Sequence, residues 1–263
     1  MNKLNIYQVD AFAEKPFTGN PAAVCPLEEW IEDWLMQKIA MENNLAETAF
    51  FVKRGKEFEI RWFTPEVEVN LCGHATLASA WVLFNVLGYQ DKELTFHSKS
   101  GMLKVTNDDP LLTLDFPLAN MKTVTPPEML TEGLQVNIEE TWLDEDYLVK
   151  VENERTVREI SPDLSKLSKL KRNRGVIVTA AGDTVDFVSR FFGPAVGINE
   201  DPVTGSAHTM LVPFWEKKTG KKEFHARQIS KRGGDLFCSL HGDRVKIAGK
   251  AALYMKGEIF TGM

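Results

Sequence analysis

The sequence predicts an α+β fold of two similar domains, each a β-sheet wrapped around a central buried helix. A phrase of eight residues occurs twice, as Phe63-Thr64-Pro65-Glu66-Val67-Glu68-Val69-Asn70 and as Phe192-Gly193-Pro194-Ala195-Val196-Gly197-Ile198-Asn199. Each copy runs into a small-residue, apolar segment with polar groups at its start, so two matched half-structures are expected. The first of these segments, residues 72–87, is apolar nearly all round, which marks a helix buried on every side. Short alternating apolar runs, separated by Gly, Asn, Asp and Pro, supply the strands to cover it.

Residues 4–12 alternate as a half-buried strand, and Phe17-Thr18-Gly19-Asn20-Pro21 gives turn signals before a second strand at 22–24. Over 27–42 the apolar residues Leu27, Trp30, Ile31, Trp34, Leu35 and Ile39 recur at helical spacing, with acidic residues early, as a helix N-terminus prefers. Asn43-Asn44 ends that helix, and residues 45–52 enter a strand that places Glu47 at a helix-to-strand junction. Strands at 58–63, 94–96, 102–105 and 111–116 complete a first domain over 1–117. A second domain is expected over 118–250, with strands at 142–149, 175–179, 186–191, 237–240 and 244–248. Helices are expected there at 164–170 and 202–218. A last strand near 251–263 is expected to pair back with the first domain.

At 263 residues and 29.7 kDa the chain can bury two moderate cores, and 43% hydrophobic with 26% charged residues is ordinary for a globular protein. The net charge of −6 argues against nucleic acid as the main partner, because phosphate binding needs a basic face. Cys25, Cys72 and Cys238 lack CxxC spacing, which indicates neither a disulfide scaffold nor a zinc knuckle and fits a reducing compartment. Met1-Asn2-Lys3 leads straight into a strand pattern, and no apolar run reaches bilayer length, so a cytoplasmic protein without a membrane partner is expected.

The candidate chemistry gathers where the repeats end. Asp201-Pro202 has the form of an N-cap followed by the first helical residue, and capping alone accounts for such an Asp. Thr204, Gly205 and Ser206 beside it would collect backbone N–H groups and hydroxyls suited to a carboxylate. Cys72-Gly73-His74 stands at the corresponding place in the first half. There His74 is a polar residue at the head of an apolar helix, and Gly73 lets a ligand approach the helix end. A helix N-terminus also depresses a thiol's pKa, so Cys72 is a candidate base or nucleophile. The second copy has Asp201 or Pro202 at the matching place rather than Cys. A two-thiol racemase needs a base on each face of the carbon, so the asymmetry favours one carboxylate shuttling a proton, with Glu47 as the candidate. Read blandly, Glu47 is a solvated strand-end carboxylate and His74 a structural histidine. Asp10, Gly19, Asn20 and Pro21 offer a cleft wall, though turn formation explains the Gly, Asn and Pro.

The stretch Lys166, Lys169, Lys171, Arg172, Arg174 reads as a solvated helix face, and Ser230-Lys231-Arg232-Gly233-Gly234 as a turn able to hold an anion. His97, His208, His225 and His241 show no metal-ligand spacing, and no HExxH, P-loop or Rossmann glycine pattern occurs. No metal or other cofactor is expected.

Val9-Asp10-Ala11-Phe12 with Phe17-Thr18-Gly19-Asn20-Pro21, Asn44-Leu45-Ala46-Glu47-Thr48, Arg61-Trp62-Phe63-Thr64-Pro65, Cys72-Gly73-His74-Ala75-Thr76, Glu200-Asp201-Pro202-Val203-Thr204-Gly205-Ser206-Ala207 and Arg232-Gly233-Gly234 follow one another in this order. In these motifs the chain resembles the PhzF family, named for the phenazine-biosynthesis isomerase, within the diaminopimelate epimerase-like fold. The resemblance implies two barrel-like sheets, each around a central helix, an active site between them, a homodimer and no cofactor. It implies Glu47 as the proton shuttle, His74, Asp201 and Ser206 as residues that position the substrate and assist proton transfer, and Gly73 and Gly205 as bringing backbone N–H groups to the ligand. Cys72 and Asn20 are further substrate-binding candidates beside them. Cys72-Gly73-His74-Ala75-Thr76 departs from the Ala-Gly-His-Pro of the phenazine enzyme. The implied activity is therefore isomerisation of a small carboxylate-bearing molecule rather than of one named substrate. Two further readings stay open: an epimerase with Cys72 as one base, and a non-catalytic protein that binds a metabolite or a protein partner.

Overall fold

The computed structural model describes residues 3–170 and 174–262. It divides into two compact units, one of residues 1–115 with 248–263 and one of residues 116–247. In chain order the first unit begins with β1 (Lys3–Ala11), β2 (Asn20–Leu27), α1 (Asp33–Asn43), β3 (Glu47–Arg54), β4 (Glu57–Phe63), β5 (Glu68–Val69) and α2 (Gly73–Asn85). It continues with β6 (Glu93–Ser98), β7 (Gly101–Asp108) and β8 (Leu111–Pro117). The second unit holds β9 (Lys122–Thr123), α3 (Glu128–Leu134), β10 (Glu140–Leu143), β11 (Tyr147–Lys150), α4 (Glu154–Glu159) and α5 (Leu164–Leu167). Then come β12 (Val176–Ala181), β13 (Phe187–Gly193), β14 (Ile198–Asp201), α6 (His208–Thr219), β15 (Glu223–Gln228), β16 (Gly234–His241) and β17 (Arg244–Gly249). The chain ends with β18 (Ala251–Phe260), which pairs antiparallel with β1 in the first unit.

Both units follow one topological recipe. In the first, β1–β2 is antiparallel, β2–β3 parallel, β3–β4 antiparallel, β4–β6 parallel and β6–β7 antiparallel. In the second, β10–β11, β11–β12, β12–β13, β13–β15 and β15–β16 repeat that series. Each parallel step needs a crossover, and a helix supplies it: α1 and α2 in the first unit, α4 with α5 and then α6 in the second. The repeated phrase lies at the second crossover of each. After Phe63 the chain turns and pairs back as β5, and after Phe192 it passes through a 3-10 turn, Pro194–Val196, and pairs back as β14. A bidentate arginine locks each turn-back. Arg61 reaches Glu68 at 2.8 and 2.9 Å, and Arg190 reaches Glu200 at 2.7 and 2.9 Å, each guanidinium lying over the first Phe of its phrase. Planar two-point pairing fixes geometry as well as charge.

The central helix α2 buries ten of its thirteen residues, and its small side chains Ala75, Ala78, Ser79 and Ala80 allow close approach of β1, β2 and β3. In the second unit α6 buries Phe214 and Trp215; Trp215 stacks on Phe187 of β13 at 5.7 Å and donates to Thr179 Oγ1 of β12 at 3.1 Å. This is the α+β architecture that the sequence predicts.

Local boundaries differ from expectation for identifiable reasons. α1 begins at Asp33 rather than near residue 27, because residues through Leu27 extend β2 against β3, with Leu27 opposite Val52. Residues 142–149 are not one strand: Asp144 N–H donates to Asp146 O, turning the chain between β10 and β11. The helix expected at 202–218 starts at Gly205 with a 3-10 turn and becomes α-helical at His208, while Asp201 closes β14. α5 ends at Leu167. α3 and α4, of seven and six residues, carry too few turns for a periodic signal, and neither they nor β15 were legible as elements.

The β1–β2 connection positions the site and is held in unusual backbone. Phe12 and Phe17 have φ of 57° and 76°, values that cost L-residues about 1–3 kcal/mol unless their surroundings impose them. Asp10 imposes part of this by accepting Phe17 N–H at 2.8 Å. Gly19 has φ +65°, and a Cβ there would sit 2.2 Å from Ala11 O and 2.8 Å from Ala13 Cβ. Replacing Gly19 by Ala therefore combines steric overlap with left-handed backbone, and a loss of about 2 kcal/mol or more is expected. A lower urea midpoint at unchanged m-value would show it; an unchanged midpoint would refute this account of the loop.

Candidate active site

Five of the residues singled out in the sequence, Asn20, Glu47, Cys72, Gly73 and His74, come together in the first unit, at the N-terminus of α2. Glu47 is the first residue of β3, opposite Ala22, and Asn20 is the first residue of β2, opposite Ala11. Both therefore stand at strand ends, while Cys72 and Gly73 open α2. Glu47 Oε2 lies 3.3 Å from His74 Nε2, Asn20 Nδ2 lies 3.3 Å from His74 Nδ1, and Cys72 Sγ lies 3.5 Å from the same Nδ1. With the Asn20 amide nitrogen facing the ring, Nδ1 is the acceptor and the ring proton sits on Nε2, toward Glu47. Burial pushes the His74 pKa down to about 3, so at neutral pH the imidazole is uncharged and its contact with Glu47 is not an ion pair. The contact is close but not aligned as a hydrogen bond, and His74 Nε2 is fully buried without a hydrogen-bond partner.

Carboxylate, thiol and imidazole here fall within 4.8 Å of one another, the one grouping of three metal-donor side chains found among the described residues. A single ion takes one imidazole nitrogen, whereas here the thiol approaches Nδ1 and the carboxylate approaches Nε2. The arrangement suits proton transfer better than ligation. The other thiols are inert: burial pushes Cys25 up to about 12 and raises Cys238 further.

In the second unit Asp201, Gly205 and Ser206 lie around the start of α6. Asp201 is not an N-cap: it ends β14, and its Oδ2 accepts the Thr204 hydroxyl. Fully buried Gln228 accepts Thr204 N–H at 2.8 Å and donates to Asp201 O at 2.7 Å, clamping strand end to helix start. Ser230 of the glycine-rich turn donates to Pro202 O at 2.7 Å, so that turn braces the same segment.

The correspondence between the halves is shifted from the one read in the sequence. Thr204-Gly205-Ser206-Ala207-His208 is the counterpart of Cys72-Gly73-His74-Ala75-Thr76, and Thr204, not Asp201 or Pro202, matches Cys72. The fifth residue of each set bonds back to the carbonyl of the first, Thr76 Oγ1 to Cys72 O at 2.6 Å and His208 Nδ1 to Thr204 O at 3.0 Å. Glu68 and Glu200, the matched arginine partners, each stand four residues before Cys72 and Thr204, so the three extra residues of the second half fall between Phe192 and Glu200, where the chain makes its 3-10 turn. In both sets the first side chain is engaged elsewhere than on the helix's backbone N–H groups, Cys72 with the His74 ring and Thr204 with Asp201, and neither caps it.

The basic stretch is not one helix face. Lys171 and Arg172 lie outside the described residues, Lys166 pairs with Glu132, and Arg174 leads into β12. Arg174 binds buried Asp146 through two nitrogens and donates to Ser206 Oγ at 3.0 Å. Gln228, Asp146 and Arg174 were missed as site neighbours because their partners are distant in the chain. The one local sign was the Asp144-Glu145-Asp146 cluster, an unusual run of charge beside apolar strands.

Two crossover-built units, each presenting polar side chains at the head of a buried helix, define the diaminopimelate epimerase-like class of isomerase folds. A hydroxyproline epimerase from Agrobacterium vitis superposes with a TM-score of 0.64 at 10% identity over 98% of this chain and 92% of its own, a likeness of fold. Residues 9–257 match the phenazine biosynthesis-like protein family, PhzC-PhzF, to which the chain belongs as a PhzF-like isomerase. An uncharacterised isomerase of Pseudomonas aeruginosa is 51% identical over 257 residues, covering 98% of this chain and 99% of the relative. The crystal structure of a PhzF-family phenazine biosynthesis protein from Enterococcus faecalis has a TM-score of 0.96 at 48% identity, covering 98% of this chain and all of the other.

Burial holds both helix-start histidines neutral in the folded state, His74 down to about 3 and His208 down to about 4. The unfolded chain titrates its histidines near pH 6.5, so below that value it takes up protons that the folded state refuses. Stability is then expected to fall as pH drops from about 6.5 to about 5, approaching ~1.4 kcal/mol per pH unit for each histidine. Urea unfolding across that window checks it, and His208→Gln should remove about half of the slope; a flat profile would contradict the buried-neutral assignment.

Proposed function

We propose that this protein is a cofactor-independent isomerase of a small carboxylate-bearing metabolite, in which Glu47 removes a proton from carbon and returns it elsewhere on the same molecule. The observation that carries this reading is the pair of Glu47 Oε2 and the buried, unpartnered His74 Nε2 at 3.3 Å. A buried donor left without a partner is rare enough to require an explanation, and a substrate oxygen supplies one. Beside it a carboxylate on a strand end is rigidly placed to act as base.

Proton abstraction next to a carboxylate or unsaturated system builds negative charge on the substrate. Neutral His74 donates toward that charge through Nε2–H, and Asn20 and Cys72 hold the ring in this tautomer from the Nδ1 side. The uncapped start of α2 adds backbone donors and the positive end of the helix dipole. In the second unit, Gly205 and Ser206 present a second uncapped helix start, suited to an anionic group of the substrate, with Asp201 held rigidly beside it. The chemistry draws on side chains and backbone alone. The family resemblance further supports a homodimer in the cytoplasm.

A panel of small unsaturated and hydroxylated carboxylic acids, incubated in D2O and followed by NMR, tests the reading. Wild-type protein should incorporate deuterium into at least one member. Glu47→Gln should lower that exchange by about a thousandfold or more, the scale of losing the acid–base group, with ligand binding still measurable; full exchange in that variant would overturn the assignment. Cys72 has Thr204 as its counterpart and no second thiol, so Cys72→Ser should keep exchange within about tenfold of wild type. Loss as deep as that of Glu47→Gln would point instead to epimerisation with Cys72 as a base.

A further inference from the structure

We propose that Arg174, anchored by Asp146, is a positioning residue that fixes the Ser206 hydroxyl as a hydrogen-bond donor at the start of α6. This rests on the reading above, in which that helix start receives an anionic group of the substrate.

The guanidinium is held from three directions. NH2 and Nε reach the two carboxylate oxygens of Asp146 at 2.6 and 3.3 Å, and that carboxylate is almost fully buried. The Arg174 plane lies over the Phe191 ring at 5.3 Å. That ring occupies the space beside Gly175, where a Cβ would come within 2.3 Å of Phe191 Cζ. The backbone is clamped on both sides of the pair, Arg174 N–H to Glu145 O at 2.9 Å and Tyr147 N–H to Gly175 O at 2.9 Å. Glu145 and Tyr147 flank Asp146 as Arg174 and Gly175 adjoin in sequence, so the ion pair and both main-chain bonds form one rigid unit.

What remains of the guanidinium is NH1, and it points at Ser206 Oγ from 3.0 Å. A guanidinium only donates, so it occupies an acceptor site of the hydroxyl and leaves the Ser206 proton to be donated elsewhere. A donor that accepts from a cation is also polarised into a stronger donor. Ser206 is held from the main-chain side too, its carbonyl accepting the Thr209 hydroxyl at 2.8 Å. The neighbouring charges agree: the carboxylates of Asp146, Glu145 and, least, Asp201 favour the charged guanidinium of Arg174. A surface ion pair of purely structural purpose needs none of this direction toward Ser206; here a buried carboxylate is used to aim one arginine nitrogen at one hydroxyl.

Two measurements test the proposal. First, crystal structures of wild type and Arg174→Gln are compared at Ser206, with Arg174→Lys, which keeps charge and stem but loses the planar fork, used if the glutamine variant does not fold. Ser206 Oγ is expected to leave its orientation; an unmoved Ser206 overturns the proposal whatever the activity. Second, deuterium exchange is compared in Arg174→Gln, Ser206→Ala and the double variant. Each single change is expected to slow exchange by about 10–100-fold and the double to be no slower than Ser206→Ala alone, because residues acting through one another are not additive. Losses that multiply in the double variant overturn it. Should wild type exchange no member of the panel, the functional reading falls while the crystallographic comparison still decides the role of Arg174.

Discussion

The burial of α2 on every side is the constraint from which the rest of the first unit follows. A helix of Ala, Ser, Leu and Val with no polar stripe cannot lie on a surface, so strands must pass it on several faces, and its small side chains let them come close. Its end is the one place where the enclosure meets polar groups. Four orphan N–H groups point outward there, and the sequence sets Cys72, Gly73 and His74 among them. The desolvation that stabilises the helix also strips His74 of charge, and an uncharged imidazole beside Glu47 is a different chemical object from an ion pair.

The second unit solves the same packing problem with different residues. Its crossover helix is preceded by the same hairpin turn-back and the same bidentate arginine, Arg190 with Glu200 where the first unit has Arg61 with Glu68. The geometry of a strand turned back and fed into a helix is thus duplicated, and the chemistry at the helix start is not. Where the first unit offers a thiol and an imidazole, the second offers a threonine and a serine, each with a carboxylate close by: Asp201 on Thr204 directly, and Asp146 on Ser206 through Arg174. A shared scaffold with unlike side chains fits the one-base isomerisation proposed above.

Strain is concentrated in the β1–β2 connection that delivers Asn20. Two phenylalanines with positive φ and a glycine without room for a Cβ lie within eight residues of one another, and Asp10 ties the loop from below. Such backbone persists where its surroundings impose it and where function gains from a fixed side chain. Asn20 is that side chain here, because its amide sets which nitrogen of His74 carries the proton.

Much of this was legible in the amino-acid order. The repeated phrase showed duplication, the apolar segment at 72–87 showed an enclosed helix, and the junction residues Glu47, Cys72, His74, Asp201 and Ser206 stood out as polar groups at element ends. These signals are local, carried by periodicity and by turn chemistry over a few residues. What the tertiary structure decided was register and partnership. Three extra residues between Phe192 and Glu200, around the 3-10 turn, moved the counterpart of Cys72 from Asp201 to Thr204, a shift that strand pairing and the Arg190–Glu200 contact fix and local pattern does not. Arg174 read as one charge in a basic run. Only folding brings it to Asp146, 28 positions earlier, and to Ser206, 32 positions later, where the ion pair gives it a direction. Element identity follows from short-range physics, while the direction of a side chain follows from contacts that exist only once the chain is closed.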